Sequence, residues 1–407
     1  MRNSDYLKLL SGQSISSVGS AMSGFVFTLL ALSITGSPVQ AGLVGTASAL
    51  GGTLMALPGG ALADRLNRRA LMVGYSVAGT LLFGSVAVAG WLDALTLPHL
   101  IAVGLLNGAG YSVFMPAETG ALRQIVEPAH LGTALAANNG REHAAGLIGA
   151  PLGGLLYSVG RTLPIAVDAV SYLVMTFLLA SIRRPLPAAP PDGGRHEPIL
   201  RAVRTGLAFI FGQPALRTIG IVSTVLNFAG TGVLLVLILS MQQRGVPASV
   251  IGLLTTSMGV GGVLGAIAAP KLLATFSVGR LAVCGGWIVA LALGATAFST
   301  DPAVLIALPA FGFFLLPAVN SGLFGYQMLV TPDQLQGRAK SAVMFLANGV
   351  NPLAPLLGGF LLATAGAQRA LLAFGALFVA GAVLLTFSRS IRKIPLLSTV
   401  SNAQMGA

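Results

Sequence analysis

Charge is scarce in this sequence. Only 8% of its 407 residues are Asp, Glu, Lys or Arg, against about a quarter in a soluble globular domain. So little charge cannot cover a water-facing surface, which excludes an ordinary soluble fold. Acid is scarcer than base: 11 Asp and Glu face 23 Lys and Arg, for a net charge of +12. There is one cysteine, Cys284, inside an apolar run. That excludes an intrachain disulfide and a thiolate metal site. The four histidines, His99, His130, His143 and His196, are scattered. No paired acids, metal cluster or nucleophile with a base stands at helical spacing, which argues against an intramembrane protease or transferase. No G-x-x-x-x-G-K-[ST] loop occurs, so nothing here would hydrolyse a nucleotide. No cofactor and no metal are expected.

What is present is apolar. Residues of the AVILMFWYC set make up 55% of the chain, and Gly accounts for 53 positions, well above the usual ~7%. Membrane helices use glycine to bring backbones together. A helical span needs about 20 mainly apolar residues. Such spans are predicted near 10–33, 40–61, 71–90, 98–118, 132–157, 162–181, 217–240, 248–270, 280–299, 302–325, 341–363 and 369–388. The segment 182–216 differs. It opens on Arg183 and Arg184, runs through PLPAAPPDGGRHEP, and then places Ile199, Val203, Leu207 and Ile210 on one face with Arg201 and Arg204 off it. That pattern predicts a Pro-rich loop and an amphipathic helix on the membrane surface. The chain therefore reads as an all-α integral membrane protein of twelve transmembrane helices. Its expected parts are a six-helix bundle over 1–181, a cytoplasmic linker over 182–216 and a second six-helix bundle over 217–407.

The basic residues orient these spans. Nineteen of the 23 fall in the connections on the side of the termini; only Arg161, Arg244 and Arg369 fall opposite, and Arg141 lies within a span. By the positive-inside rule both termini and the linker are cytoplasmic, in a multi-pass protein of the cytoplasmic membrane. The same tally explains the net charge as lipid-facing topology, not as a nucleic-acid footprint. The halves also repeat. Val126, Pro128 and Leu131 recur as Val330, Pro332 and Leu335, each 204 positions on, and Gly153-Gly154 recur as Gly358-Gly359, 205 positions on. Duplicated bundles around a midplane site are a recurring plan of secondary transporters.

The loop after span 2 reads GGALADRLNRRAL. Gly60, Asp64, Arg65, Arg68 and Arg69 resemble the G-x-x-x-D-R-x-x-R-[RK] loop of the major facilitator superfamily, with Asn67 where that family usually has Gly. Physically, Asn suits a tight turn, an aspartate suits a helix N-terminus, and arginines can bridge to carboxylates or carbonyls. In the family this loop locks the cytoplasmic side of the outward-facing state. Glu118, at the cytoplasmic end of span 4, is the expected gate partner of those arginines. The matching loop of the second half, from Lys271 to Arg280, is degraded. Span 5 carries GLIGAPLGGLL, with Gly146, Gly149, Pro151, Gly153 and Gly154. It resembles the Gly-Pro signature of the exporters of this superfamily, with the proline displaced by one. Span 11 holds a partner version from Ala354 to Gly359. With SPVQAGLVGTASALGG, DAVSYLVMTFLLASIRR and GLAFIFGQPALR, the chain resembles the branch holding macrolide-efflux proteins and exporters of enterobactin-type siderophores. The resemblance implies export of amphiphilic organic compounds, driven by protons, by a monomer.

Charges inside the bilayer ask for a reason, because each costs about 2.5–3.5 kcal/mol on insertion scales. Arg141, Glu142 and His143 sit some ten residues into span 5. Glu142 shares a stripe with Asn138, Gly146, Gly149 and Gly153; Arg141 lies about 100° round the helix. Glu142 is the candidate coupling group, with Arg141 and His143 as modulators, and a structural Arg–Glu pair is the competing reading. Asn138, and Asp168 in span 6, are further candidates for the coupling or substrate path, with structural hydrogen bonding the favoured role for Asp168. Asn227 is a candidate for the substrate path, although asparagines in spans more often bind helices together. Many proton-coupled relatives carry an arginine in the fourth helix; the corresponding position here is Gly104, so that group is absent. Uptake of a small nutrient is the alternative function.

Overall fold

In a computed structural model of the chain, residues 4–187, 199–332 and 335–396 are described. All regular structure among them is helical, and apart from three short turns of helix it comprises α1 (Ser4–Thr35), α2 (Pro38–Arg65), α3 (Arg68–Trp91), α4 (Leu97–Ile125), α5 (Leu131–Val159), α6 (Leu163–Ala180), α7 (Ile199–Gly212), α8 (Pro214–Gln243), α9 (Ala248–Thr275), α10 (Val278–Ala295), α11 (Pro302–Phe313), α12 (Leu316–Val330), α13 (Gln336–Gly349) and α14 (Leu353–Phe387). Local chemistry sets several ends. Gly36, at φ 66°, closes α1, and Ser37 and Pro38 open α2 as N-cap and first residue. Asn67 caps α3 by accepting from the Ala70 amide at 3.1 Å. Asp301 caps α11 from the Ala303 amide at 2.9 Å. Short polar side chains at these positions satisfy amides that the first helical turn leaves free.

Among the described residues, ten segments are long and apolar enough to cross a bilayer. Two differences from the expected twelve have a physical cause. The α5 helix is not among the ten, because Asn138, Asn139, Arg141, Glu142 and His143 make its middle polar. The last of the ten runs over Ser341–Phe387, 47 residues, or roughly 70 Å at 1.5 Å per residue. That is twice the ~30 Å apolar thickness of a bilayer. Gly366, with φ 81°, divides it where the sequence predicts two spans. The predicted tenth span is itself broken into α11 and α12 at Phe314 and Leu315, ahead of Pro317. Large apolar side chains lie on helix outsides, among them Leu81, Phe177, Ile267 and Phe387. A soluble surface would not present so many, and lipid is the solvent that suits them.

The chain forms two compact units. The first holds 1–195 together with 241–256; the second holds 196–240 and 257–407. In the first, α1 lies against α5 and α6, α6 against α3, and α2 against α4. The α2–α4 approach is at backbone distance. A Cβ at Gly51 would meet the Leu105 carbonyl, one at Gly59 the Ser112 carbonyl, and one at Gly108 the Ser48 carbonyl. In the second unit α9 meets α11 by the same device, with Gly261 on the Ala310 carbonyl. There α10 packs against α14, α11 and α12. The helix of the linker, α7, packs one face on protein. Its Leu207 and Ile210 join a core with Ala339 and Ala342 of α13, and Gly206 lies against the Arg338 carbonyl. Arg204 is exposed as expected. The Pro-rich stretch 188–198 and the side chains of Ile199, Arg201 and Val203 lie outside the described residues.

Candidate functional site

The polar stripe of α5 is laid out by its glycines. Gly149 and Gly153 bring α5 onto Ala21 and Met22 of α1. One turn earlier Gly146 has open space beside it and borders a cavity of about 310 Å3 within the first unit. Glu142 and Arg141 also line that cavity, and Glu118 reaches it from α4. The arginine is the hinge of the three. Its Nη2 lies 3.3 Å from Glu118 Oε1 and 3.6 Å from Glu142 Oε1. Arg141 thus swings back from its position off the stripe to bridge both carboxylates.

Glu118 is therefore not the gate partner of the loop arginines. Its side chain turns into the unit, where the residue is 1% exposed, with Gln13 and Asn138 beside it. A buried carboxylate needs a close cation, and Arg141 supplies one from the neighbouring helix. Glu142 is the more open acid, with 38% of its side chain exposed. His143 is exposed and does not border the cavity.

The remaining wall mixes hydroxyl and aromatic side chains with Gln13, Ala21, Met115, Ala145 and Met175. Ser16, Ser17 and Ser20 line it from α1, and Tyr75, Tyr111 and Phe114 from α3 and α4. Tyr75 packs on Phe114 with ring centroids 4.9 Å apart and on Tyr111 at 6.5 Å. Behind Tyr75 its hydroxyl meets that of Tyr172 at 2.8 Å, and Tyr172 meets Ser20 Oγ at 3.0 Å. Both tyrosines reach Asn107 Oδ1 at 3.4 Å. Asp168 stays out of the cavity. It is fully buried on α6, where its Oδ1 accepts from Ser171 Oγ at 2.9 Å. It lies against Gly19 of α1, a position that a Cβ would close. Sequence reasoning passed over the three tyrosines. Their signal was polar tips in otherwise apolar spans, a pattern shared with interfacial tyrosines.

Pro151 has a distinct consequence. Proline has no amide hydrogen, so it cannot donate to the carbonyl four residues back. That carbonyl, of Leu147, accepts from Thr256 Oγ1 at 2.8 Å. The 241–256 segment makes further contacts inside the first unit. Gly154 lies against the Ala248 carbonyl, Gly252 against that of Ala150, and Gln242 donates to the Leu29 carbonyl at 2.8 Å.

The loop after α2 is tighter than the sequence reading has it. The α2 helix continues to Arg65, and only Leu66 and Asn67 separate it from α3. Asp64 is therefore exposed in the last turn of α2, not at a helix N-terminus. Asn67 serves as an N-cap, with φ −60°, so no glycine-like turn is needed. Arg68 Nη1 donates to the Gly120 carbonyl of α4 at 3.0 Å, and Arg69 donates to the Ala180 carbonyl at the end of α6. The second bond places a cation on the C-terminus of α6, where the dipole favours it; Gly120 lies inside α4, before its last turn. Gly60 has open space beside it and Arg65 is exposed. In the second unit Asn227 Nδ2 donates to the Ala347 carbonyl at 3.1 Å, tying α8 to α13. It borders none of the cavities described.

Two solved structures share this architecture. A bacterial homologue of the human lysosomal transporter Spinster superposes with a TM-score of 0.73 at 16% identity, over 96% of this chain and 98% of that one. A bacterial homologue of the iron transporter ferroportin gives 0.73 at 17% identity, over 94% and 98%. Helices, glycine contacts and cavity together define a polytopic membrane transporter of the major facilitator fold. Within that class, the chain belongs to the family described as transmembrane secretion effectors, which it matches over residues 1–405. It is 25% identical to the multidrug efflux pump Tap of Mycolicibacterium fortuitum over 93% of this chain and 94% of that protein. It is 26% identical to the MFS-type transporter YfiS of Bacillus subtilis strain 168 over 92% and 90%.

Proposed function

We propose that this protein is a proton-linked exporter of amphiphilic organic compounds, acting as a monomer in the cytoplasmic membrane with both termini in the cytoplasm. The observation that carries the reading is the Glu118–Arg141–Glu142 set on the wall of a partly aromatic cavity. Charge that close to the middle of the spans is costly unless it is used. Glu142, the more open acid, is the group that exchanges protons; Arg141 and Glu118 hold it in place. The likeness to a multidrug efflux pump, at 25% identity over nearly the whole of both chains, supports export over uptake. The distribution of basic residues supports cytoplasmic termini, and the arginine-to-carbonyl bonds after α2 suit a gate that forms and breaks.

Substrate-dependent proton movement in inverted vesicles with an acidic interior tests the proposal. Amphiphilic drugs and siderophores should alkalinise the interior of vesicles holding the wild type, and Glu142→Gln should abolish the response. Alkalinisation that survives Glu142→Gln would leave export standing and reduce Glu142 to a structural role. Silence with every compound would move the weight to uptake of a small nutrient.

A further inference from the structure

We infer that a second cavity of the first unit, at the end where α1 and α5 finish, binds a phosphate that carries a neighbouring hydroxyl. That is the chemistry of a phosphatidylglycerol headgroup and of free glycerol phosphate. The cavity measures about 430 Å3 and lies between Leu29 of α1, residues 157–161 at the end of α5, and the 242–251 segment. It shares no lining residue with the cavity that holds Glu142, and such a site is independent of the direction of transport.

Arg161 is the one charged side chain among the lining residues, with no acid there to neutralise it. It is exposed and takes part in none of the ion pairs formed by the described residues. Only three of the 23 basic residues fall on this side of the predicted spans, so the bias that orients membrane proteins does not account for it. A guanidinium offers a phosphate two parallel donors. Tyr157 brings a phenol to the same wall. Ser158 Oγ is already engaged, donating to the Gly154 carbonyl at 2.9 Å. Gln242 Nε2 is engaged too, on the Leu29 carbonyl at 2.8 Å. That bond fixes the amide, and its Oε1 is left buried without a partner. An amide oxygen accepts from a hydroxyl and has nothing to offer an anion. Two donors and one acceptor therefore suit a phosphate beside an alcohol better than a bare anion or a cation. The place suits it as well. The α5 helix ends at Val159, and Leu155 and Val159 are 56% and 77% exposed. An apolar helix that ends there brings the cavity to the level of the headgroups.

The test needs a reporter beside the cavity, because basic residues elsewhere also attract anionic lipid. Leu155 is exposed, does not line the cavity and lies one turn before Val159. A bimane on Leu155→Cys, in full-length protein with Cys284→Ser and in phosphatidylcholine nanodiscs, reports which lipid sits there. Phosphatidylglycerol with a nitroxide near its headgroup should quench it at about tenfold lower content than the matching phosphatidylcholine, the scale of a hydrogen bond to a charged group. Arg161→Gln should remove that preference, and Tyr157→Phe should reduce it about threefold. Nitroxide-labelled phosphatidylmethanol, with the same charge and no free hydroxyl, should need about threefold more lipid than phosphatidylglycerol. Glycerol phosphate that shifts the bimane emission in wild type and not in Arg161→Gln, with no lipid preference, would assign the site to the free phosphate. Equal quenching by phosphatidylglycerol and phosphatidylcholine with no effect of glycerol phosphate would overturn the inference. So would a preference that Arg161→Gln leaves intact, or phosphatidylmethanol that matches phosphatidylglycerol.

Discussion

The two units solve the same packing problem and carry different chemistry. Each brings a pair of helices to backbone contact through glycine: Gly51 on Leu105 in the first, Gly261 on Ala310 in the second. The buried carboxylates, however, are all in the first. Among the described residues these are Asp5, Glu118 and Asp168. With the offset of 204 that relates Val126 to Val330 and Pro151 to Pro355, Glu118 and Arg141 correspond to Gly322 and Phe345. Gly322 lies against Leu273 and Val278, and Phe345 is exposed. One repeat thus places an ion pair where the other carries no charge. Well-packed apolar residues often replace a buried ion pair at no loss of stability. The pair in the first unit is therefore hard to explain as a stabilising device, and easier to explain as a working one.

The largest expected effect comes from unbalancing that pair. Arg141→Leu leaves Glu118 buried without its cation and should cost about 3–5 kcal/mol in stability, read as a lower unfolding midpoint of the purified protein. The double variant Glu118→Leu/Arg141→Leu removes both charges, as in the second unit. It should recover most of that loss and still fail to move protons in vesicles. A double variant that remains coupled would break the comparison, because the charges would then be dispensable for function as well.

A second and smaller effect tests what the units share. Gly51→Ala and Gly261→Ala each set a methyl against a backbone carbonyl that cannot turn aside. Each should lower stability by roughly 1–3 kcal/mol, the usual cost of overpacking. Gly84 has open space around it. Gly84→Ala should instead be neutral or gain up to about 1 kcal/mol from helix propensity. Unequal losses at Gly51 and Gly261 would show that the two contacts are not equivalent.

Much of this was legible in the sequence. Hydropathy gave the spans, while basic residues and the 204–205 repeat gave an expected orientation and an expected pair of related halves. The stripe of Glu142, Gly146, Gly149 and Gly153 foretold one face of α5, since helical spacing is a local property. The partners on that face were not legible. Glu118 and Arg141 are 23 residues apart, and nothing local says that Glu118 turns inward to Arg141 rather than outward to Arg68. The aromatic wall was hidden for the same reason. Tyr75, Tyr111 and Phe114 come from two helices and meet only when α3 packs on α4. Asp64 was misplaced by a shorter distance, because α2 runs four residues past the predicted end of its span.

The smallest expected effect concerns the prolines at matching positions, Pro151 and Pro355. In the first unit α5 runs unbroken past Pro151, and the Leu147 carbonyl is taken by Thr256. In the second the chain breaks between α13 and α14, and the Asn351 carbonyl is taken by the Ala354 amide at 3.0 Å. A side chain from another helix thus does in one unit what a local turn does in the other. Thr256→Val keeps the shape and removes the donor, so it should cost about 0.6 kcal/mol, the typical value for a hydrogen bond between membrane helices. Pro151→Ala restores the amide to Leu147 and should make Thr256→Val nearly silent. Unfolding free energies for the two single variants and the double variant give the coupling directly. A coupling near zero would mean that Thr256 does not compensate for the proline. The unbroken course of α5 would then rest on its glycine contacts with α1.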